Sequence, residues 1–421
     1  MEIQKQKGTY DVLNDYSDKL IILEKFIFAI CEKYNYKYIR TPIFEATELF
    51  HRGMGDSTDV VTKETYDFTD RGGRLITLRP EGTAGVVRSY IENKLYTKEI
   101  QKLFYYGPMY RYERPQAGRY REFYQFGVEV FGSSSPYIDA EVISMPVNLY
   151  KMLGLKDVTV NINSMGTVDD RTKYKKALID YFKPHINSLC DDCSARFQKN
   201  PMRIIDCKVD SENEIIKNAP KITDYLSAES KNYFENVLKC LDDLGIKYVK
   251  NPNIVRGLDY YTHTVFEITV DAPYLGNQNV LGGGGRYDDL VSMLSGPNTP
   301  GVGLAIGIER LMEVLMNENP AIFEPISLDL FILAISDEDK PYVSKMCQNL
   351  RLNGFSVDID YLSKSLKGQF KLADNYNSKF IVIVGENERK TGKVTIKNNI
   401  TKEEKEIKVS DIVVEMDSLL G

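Results

Sequence analysis

The sequence lacks any apolar run approaching the roughly 20 residues that a membrane-spanning helix needs. Its first seven residues lead into no apolar segment of the kind that secretion signals carry. Neither an internal repeat nor a low-complexity tract stands out. These absences argue against a membrane protein and against a repeat array, so we expect a protein of the cytoplasm.

The common phosphate-binding loops are also missing. No G-x-x-x-x-G-K-[ST] segment occurs in the chain. Two glycine clusters, 282–285 and 301–307, suggest a dinucleotide-binding turn, but neither lies in an early β-α-β unit with an acidic residue about 20 positions further on. A bound nucleotide would therefore be held by neither common loop.

The chain has few cysteines, and a disulfide framework is not expected in a cytosolic protein of this size. The spacing Cys190-x-x-Cys193, followed by Cys207 and Cys240, is compatible with a zinc site. The later spacing is loose, however, and no second paired motif follows. Scattered reduced thiols are the alternative that we favour, so no tightly bound protein metal is expected.

Size and charge limit the possibilities less. A chain of 421 residues with 43% apolar residues is expected to form two or three globular domains. The net charge of −6 does not suggest a nucleic-acid-binding protein, because such proteins usually carry a basic surface. A local basic stripe can still act on an acidic protein, since salt screens charges beyond about 10 Å.

Patterning divides the chain into regions of different character. Residues 18–34 predict an amphipathic helix, and 74–131 alternate strand-like runs with glycine and proline, which favours antiparallel hairpins over β-α-β units. Residues 166–250 are rich in charged, helix-favouring types and predict a mostly helical insertion. Strand patterns then return, and residues 301–316 predict a strand that leads into a helix.

The last quarter of the chain predicts a separate domain. Residues 317–327 contain two prolines and no periodicity, as expected for a linker. A β-α-β-α-β pattern follows, with parallel strands expected. We therefore place one domain at 1–323 and a second, of about 95 residues, at 327–421.

Arginines beside strand ends are the first sign of chemistry. Arg111, Arg114, Arg119 and Arg121 surround a Pro-Gln-Ala-Gly loop between two aromatic strands, while Arg256 and Arg310 adjoin glycines further on. Planar, permanently charged guanidiniums suit phosphate oxygens, and an aromatic such as Phe123 can stack on a base. A solvated, charged hairpin is the competing interpretation. Spacing alone cannot show whether these arginines converge.

Longer motifs carry a resemblance to a known family. TPIFEATELF, PMYRYERPQAGRYREFYQFGVEVFG and GVGLAIGIERL resemble, in order, the three motifs of class II aminoacyl-tRNA synthetases. LRPEGT, RGLDYYTHTVFEI and GGGGRYDDL resemble motifs of the histidyl-tRNA synthetase family. The resemblance covers nearly the whole chain, and this combination in this order is highly specific.

The resemblance implies a role for each matching residue. Arg111 and Arg256 would be catalytic, stabilising charge on the α-phosphate. Histidine contacts are implied for Glu81, Gly82, Thr83, Arg111, Gln125, Glu129, Arg256, Tyr260 and Tyr261, with Glu129 and Tyr261 on the two ring nitrogens. ATP contacts are implied for Arg111, Glu113, Arg119, Arg121, Phe123 and Arg310. Tyr260 and Gly82 also have plain structural interpretations, as a core residue and a turn residue.

The resemblance further implies an α+β catalytic domain with a six-stranded antiparallel sheet flanked by helices, a helical insertion, and a C-terminal α/β anticodon-binding domain. It implies ATP as substrate with Mg²⁺, L-histidine and tRNA(His) as partners, and a homodimer. Two relatives of this fold compete. The regulatory subunit of ATP phosphoribosyltransferase typically lacks the C-terminal domain, and tRNA-sensing domains of certain kinases have lost the motif arginines. This chain has both a C-terminal domain and the motif arginines, which argues against both relatives.

Overall fold

The computed structural model describes residues 2–55, 58, 60–115, 118–207, 209–255, 258–324 and 326–421, except for the side chains of 276–278. The chain divides into two compact units, one formed by Met1–Leu13 with Lys19–Ile322 and the other by Asn14–Asp18 with Phe323–Gly421. Within these described ranges, no helix combines the length and the apolar character needed to cross a membrane.

Eleven strands of the first unit are numbered along the chain. They are β1 Lys37–Tyr38, β2 Phe44–Ala46, β3 Tyr66–Thr69, β4 Leu75–Leu78, β5 Gln101–Tyr110, β6 Glu122–Phe131, β7 Val158–Ser164, β8 Tyr248–Lys250, β9 Thr262–Val270, β10 Val280–Arg286 and β11 Gly301–Gly307. Eight of them form one sheet in the order β1-β5-β6-β11-β10-β9-β7-β8, and β2-β4-β3 form a small antiparallel sheet. The fold around the candidate site is thus an extended sheet.

The six inner strands of the large sheet are antiparallel throughout. This confirms the expected antiparallel sheet. The structure adds one short strand at each edge, β1 beside β5 and β8 beside β7, and both of these pair in parallel. The glycine run at 282–285 lies inside β10, hydrogen-bonded to β9 and β11, so it forms sheet and not a phosphate-binding turn.

Helices cover this sheet and fill the central region of the chain. They are α1 Asn14–Lys33, which begins in the second unit, then α2 Thr47–Met54, α3 Thr83–Glu92, α4 Pro136–Met152, α5 Val168–Phe182, α6 Asp191–Lys199, α7 Met202–Ile205, α8 Glu214–Lys217, α9 Ala228–Asp243, α10 Leu290–Met293 and α11 Ile308–Glu318. Single helical turns lie at Val60–Glu64, Leu95–Thr97, Ile186–Ser188, Ile222–Asp224, Pro273–Gln278 and Pro320–Ile322. Helix α3 lies where we predicted only hairpins.

The region predicted to be a helical insertion contains α5 to α9 and the short strand β8. Helix α5 begins at a capping box in which the Thr167 side chain accepts from the Asp170 amide and the Asp170 carboxylate accepts from the Thr167 amide. The same carboxylate accepts a hydrogen bond from Ser230 Oγ at 2.6 Å, which ties α5 to the start of α9. One aspartate thus joins the two longest helices of this region.

The second unit is a five-stranded sheet with four helices. Its elements are β12 Leu330–Ala334, α12 Lys340–Leu352, β13 Val357–Ile359, α13 Leu366–Asn375, β14 Phe380–Val384, α14 Glu386–Thr391, β15 Lys393–Asn398, β16 Glu404–Lys408 and α15 Ile412–Leu420, with single turns at Asp337–Asp339 and Val409–Asp411. The parallel pairs β12–β13 and β12–β14 confirm the predicted β-α-β-α-β pattern. Strands β15 and β16, which pair in antiparallel fashion, extend this sheet beyond β14.

A buried ion pair joins the large sheet to helix α4. Arg286 at the end of β10 is completely buried, and its guanidinium contacts the equally buried Asp139 carboxylate. It also donates to Ser133 O at 2.9 Å and to Asp288 Oδ1 at 3.0 Å. Tyr233 donates to Asp139 Oδ2 at 2.9 Å. Because every charge in this network has a partner, the network is stable only as a whole.

We expect Asp139→Asn to lower the free energy of unfolding by about 3–5 kcal/mol, because it removes the one fully buried counter-ion of Arg286 and leaves only the partly exposed Asp288 carboxylate. Urea denaturation followed by circular dichroism measures this change. The matched control is Glu48→Gln, which removes an exposed partner of Arg52 in the same unit and should cost less than about 1 kcal/mol. Equal losses for the two variants would contradict the structural role of the pair.

Candidate active site

A cleft of about 210 Å³ opens beside strands β6, β10 and β11. Its lining combines glycines of the sheet with charged residues from the β5–β6 connection and from the first turn of α11. Of the residues predicted to bind ligands, the cleft is lined by Arg111, Glu113, Arg119, Phe123, Gln125 and Arg310. The sequence-distant arginine motifs therefore meet at one place.

Three guanidiniums give this cleft its positive charge. Arg111 donates to Pro80 O at 2.9 Å, and its guanidinium carbon lies 5.3 Å from the centre of the Phe123 ring. Arg310 Nη1 donates to Val280 O at 2.6 Å. Burial lowers the pKa of Arg310, and the positive charges of Arg119 and Arg111 lower it further. Like charges held this close favour an anionic ligand, because it would relieve their repulsion.

Other charged residues at the cleft are engaged within the protein. Arg119 pairs with Glu113 at 3.2 Å and is 38% exposed, so it remains accessible to a ligand. Arg121 does not line the cleft; its guanidinium lies 4.0 Å from the centre of the Tyr112 ring and donates to Glu113 O.

Deeper in the sheet, Glu129 is an almost fully buried carboxylate on β6. Thr83 Oγ1 donates to its Oε1 at 2.6 Å, and the Tyr287 hydroxyl donates to its Oε2. Burial raises the pKa of Glu129 to about 8, although both hydroxyl donors act to lower it. Each carboxylate oxygen has a second lone pair, so the group is held in place and can still accept a hydrogen bond from a ligand.

A second buried carboxylate, Glu81, lies at the start of α3. Its oxygens accept hydrogen bonds from the amides of Thr83 and Ala84, both at 2.7 Å. These bonds satisfy amides that have no partner inside the helix. Burial raises the pKa of Glu81, and the two amides oppose that rise. Glu81 therefore orients Thr83, which in turn contacts Glu129.

Two glycines make room for this arrangement. A Cβ atom on Gly303 would lie 1.9 Å from Glu129 Oε2, so any residue other than glycine at position 303 would displace the carboxylate. A Cβ atom on Gly82 would lie 2.3 Å from Tyr105 Cζ. A turn was the structural interpretation of Gly82 beside the implied histidine contact, and the structure adds a steric reason for glycine there.

Aromatic rings enclose the buried carboxylates. Tyr260 and Tyr261 have ring centres 4.7 Å apart, and Tyr260 lies 5.7 Å from Tyr287. Burial raises the pKa of Tyr260 and of Tyr287 well above the ordinary value. These neutral hydroxyls give the pocket a low polarity in which a charged or hydrogen-bonding ligand group interacts strongly.

Two polar atoms at the cleft have no partner within the described residues. They are Gln125 Oε1 and Arg310 Nε, both buried. Buried polar atoms are nearly always hydrogen-bonded, and an orphaned acceptor or donor costs about 1–3 kcal/mol. Their position on the cleft wall is consistent with groups that a bound ligand would satisfy.

The sequence prediction missed one residue of the site and included one that cannot be placed. Tyr287, which holds Glu129, lies in the quoted motif GGGGRYDDL, but nothing in its spacing marked it as a contact. Arg256, predicted to be catalytic, lies outside the described residues. The remaining predicted histidine contacts cluster around Glu129 or line the cleft next to it.

A group of potential metal ligands lies elsewhere, in the helical region. It comprises Cys190, Cys193, Cys207 and Asp210. The predicted fourth cysteine, Cys240, is on α9 and is not part of it. The expectation of scattered thiols is therefore wrong for three of the cysteines.

Two protein-family models match this chain, one in each of its two units. The family model described as Histidyl-tRNA synthetase matches residues 8–311, and the one described as Anticodon binding domain matches residues 329–419. A Histidine–tRNA ligase of Staphylococcus carnosus is 50% identical over 414 residues, covering 98% of this chain and 97% of that protein.

A Histidine–tRNA ligase of Staphylococcus haemolyticus is likewise 50% identical over 414 residues, covering 98% of each chain. Among solved structures, apo histidyl-tRNA synthetase of S. aureus superposes with a TM-score of 0.83 at 42% identity. That match covers 99% of this chain and all of the other.

The raised pKa of Glu129 predicts a pH dependence of stability. The folded protein keeps a proton up to a pH of about 8 that the unfolded chain releases near pH 4.3. The free energy of unfolding should therefore fall as the pH rises between these values. Glu129→Gln removes this contribution, so its stability should fall less between about pH 5 and pH 8.

Urea denaturation of the ligand-free protein at several pH values measures this difference. Glu122→Gln on the same strand is the matched control and should follow the unchanged protein. Identical slopes for the unchanged protein and Glu129→Gln would mean that Glu129 is ionised in the folded state.

Proposed function

The chain belongs to the histidyl-tRNA synthetase family and has the function of a histidine–tRNA ligase of class II, and we propose that the cleft and the buried carboxylates beside it are its active site. The observation that carries this proposal is the adjacency of two unlike environments. Three arginines line an anion-binding cleft, and a buried carboxylate held by two hydroxyls lies next to it. ATP and histidine carry the matching groups.

ATP would bind on the arginine side. Phe123 and Arg310 would flank the adenine, and Glu113 would read its edge. Arg111 would contact the α-phosphate, with Arg119 and Arg121 near the remaining phosphates or the tRNA acceptor end. The contact between the Arg111 guanidinium and the Phe123 ring supports the role of Arg111, since it holds this cation beside the ring that would stack on adenine. Arg121 has the weakest support, because its guanidinium packs on Tyr112 away from the cleft lining.

Histidine would bind on the carboxylate side. A neutral imidazole presents one N–H donor and one nitrogen acceptor. Glu129 would accept from the N–H, and the Tyr261 hydroxyl would serve the other nitrogen. Glu81, Thr83 and Gln125 would hold the α-amino group. Gln125 Oε1 is a buried acceptor at the cleft that has no partner among the described residues, which supports its role as a contact to ammonium.

Selection of histidine follows from the same carboxylate. A competitor without an N–H at this position would leave Glu129 buried and without that partner. Sites built on such a hydrogen bond reject analogues that lack it by about 10⁴–10⁵. An editing step is then unnecessary.

The reaction proceeds in two transfers. The histidine carboxylate attacks the α-phosphorus of ATP and diphosphate leaves, which gives histidyl-adenylate. A ribose hydroxyl at the 3′ end of tRNA then attacks the activated carbonyl, and AMP leaves. Negative charge grows on the non-bridging phosphate oxygens in the first transfer, so fixed cations stabilise the transition state most. We assign that role to Arg111 and Arg256.

Mg²⁺ would enter with ATP as part of the substrate. Of the described residues lining the cleft, the carboxylates are Glu113 and Glu309. Glu309 Oε1 already accepts from Tyr10 and from the Tyr124 amide, both at 2.8 Å. The triphosphate and water would therefore supply most ligands, as is usual for Mg²⁺.

The C-terminal unit would bind the anticodon of tRNA(His), with 1–323 as the catalytic domain, 166–250 as its insertion and 327–421 as the anticodon-binding domain. The match of residues 329–419 to an anticodon-binding family supports this and disfavours the regulatory-subunit alternative. The cleft arginines Arg111 and Arg310 disfavour a tRNA sensor.

We also propose a cytoplasmic homodimer. Exposed apolar side chains on and beside the small sheet support an interface there, because a second copy would remove them from water. The residues concerned are Ile43, Phe44, Phe68 and Leu75, between 40% and 58% exposed.

Histidine-dependent diphosphate–ATP exchange tests the proposed site. Measured above a pH of about 8, where Glu129 is ionised, Glu129→Gln should raise the KM for histidine by about 10- to 100-fold, because a neutral amide replaces a charged acceptor worth about 1.5–3 kcal/mol. The KM for ATP should change little. Glu122→Gln, the same substitution on the same strand away from the cleft, is the control. An unchanged KM for histidine in Glu129→Gln would assign Glu129 a purely structural role.

Truncation within residues 317–327 tests the division between domains. A chain ending at residue 323 keeps every proposed contact to ATP and histidine and should retain diphosphate exchange. Aminoacylation should fall much more, through a raised KM for tRNA, because the anticodon contacts are lost. Gel filtration and circular dichroism verify that the shortened chain is folded. Parallel loss of both activities in a folded protein would mean that the second unit supports the active site.

A further inference from the structure

A group of three cysteines and one aspartate in the helical region lines no part of the candidate cleft and takes no part in the proposed reaction. Cys190 precedes α6, Cys193 is in its first turn, and Cys207 and Asp210 follow α7. One ligand atom from each of the four lies within 4.8 Å of the others. We propose that Cys190, Cys193, Cys207 and Asp210 bind a structural zinc ion.

The distances suit one tetrahedral ion. Zinc bonds thiolate sulfur at about 2.3 Å, so two sulfurs on the same ion lie about 3.8 Å apart. Cys190 Sγ and Cys207 Sγ are 3.6 Å apart, and Cys207 Sγ is 3.8 Å from Asp210 Oδ2. Both separations match the edge of such a tetrahedron and need only small side-chain adjustments.

Backbone amides already hold the ligands in place. The Cys190 amide donates to Asp210 Oδ2 at 2.8 Å, and the Asp210 amide donates to Cys207 Sγ at 3.4 Å. Outer hydrogen bonds of this kind orient ligands in metal sites. Cys190 and Cys193 also stand at the positive end of α6, which favours thiolates.

The chemistry of the four side chains suits a cation. A bound divalent ion would keep all three thiols ionised and neutralise most of the charge. Three soft sulfurs and one carboxylate suit zinc far better than Mg²⁺ or Ca²⁺.

A disulfide explains fewer of the observations. Joining Cys190 to Cys207 would leave the completely buried Cys193 and the Asp210 carboxylate without a function in the cluster. One ion accounts for all four groups.

A zinc ion would stabilise a region of short helices. Helices α6, α7 and α8 have nine, four and four residues, and helices this short are not stable by themselves. A zinc ion would tie α6 to the segment after α7, next to the buried side chains of Phe182, Met202 and Ile204. It would thus stabilise the part of the chain with the shortest elements.

Metal analysis of the full-length protein tests the proposal. The protein is prepared under reducing conditions without chelator and without a histidine tag, and its zinc and iron are measured by plasma mass spectrometry. We expect about one zinc per chain. Cys193→Ser and Cys207→Ser should lose it. Cys240→Ser, a buried cysteine on α9 outside the cluster, is the matched control and should retain it.

Cobalt substitution provides a readout that does not depend on the variants folding. The unaltered protein, stripped of zinc and given Co²⁺, should develop the intense visible bands of tetrahedral thiolate-bound cobalt. Removal of zinc should also lower Tm by several degrees and make residues 186–226 more sensitive to protease.

Several results would overturn the proposal. They are absence of zinc even after reconstitution, iron in its place, equal zinc loss in Cys240→Ser, and a Cys190–Cys207 disulfide in the mass of the freshly purified protein. Each is separate from the fate of the proposed active site, because the measurements require no catalysis.

Discussion

The buried carboxylate of Glu129 is the constraint on which the rest of the active site depends. A carboxylate in a sheet interior is stable only where donors surround it, and here the donors are hydroxyls from two other elements. Thr83 must begin α3 at the right point, Tyr287 must follow β10, and β11 must carry glycine where it passes the carboxylate. Motifs that lie far apart in the chain are therefore parts of one contact.

The site also separates charge by depth. Cations line the open cleft and carboxylates lie in the buried pocket beside it, so each end attracts a different part of the substrates. Burial and the charges of Arg119 and Arg111 lower the pKa of Arg310, and burial raises the pKa of Glu129 and of Glu81. The repulsion between the arginines and the burial of the carboxylates are both offset only when ligands of opposite charge bind. In the proposed active site, the reacting groups of the two substrates would meet at the boundary between the two regions.

Local patterns in the sequence predicted much of this. The run from 301 to 316 predicted strand β11 and helix α11, and apolar runs between polar segments predicted the parallel strands of the second unit. Helix α3 was missed because its sequence contains glycine and valines, which favour helix weakly, and because its start depends on Glu81. Long-range packing decides the other features. It brings Arg111 and Arg310 together, places Tyr287 against Glu129, and makes Asp210, not Cys240, the fourth member of the cysteine group. No spacing rule encodes such contacts.

Strand β10 carries the glycine run between two hydrogen-bonded neighbours and forms part of the cleft wall. A methyl group on Gly284 would lie 2.0 Å from Gly303 O, and one on Gly285 would lie 2.5 Å from Thr264 O. Because those neighbours are backbone atoms of the same sheet, no rotamer change can relieve the collision. Both positions, which directly follow the cleft-lining Gly282 and Gly283, therefore admit no residue but glycine. A change of amino-acid specificity would therefore have to leave this part of β10 unaltered.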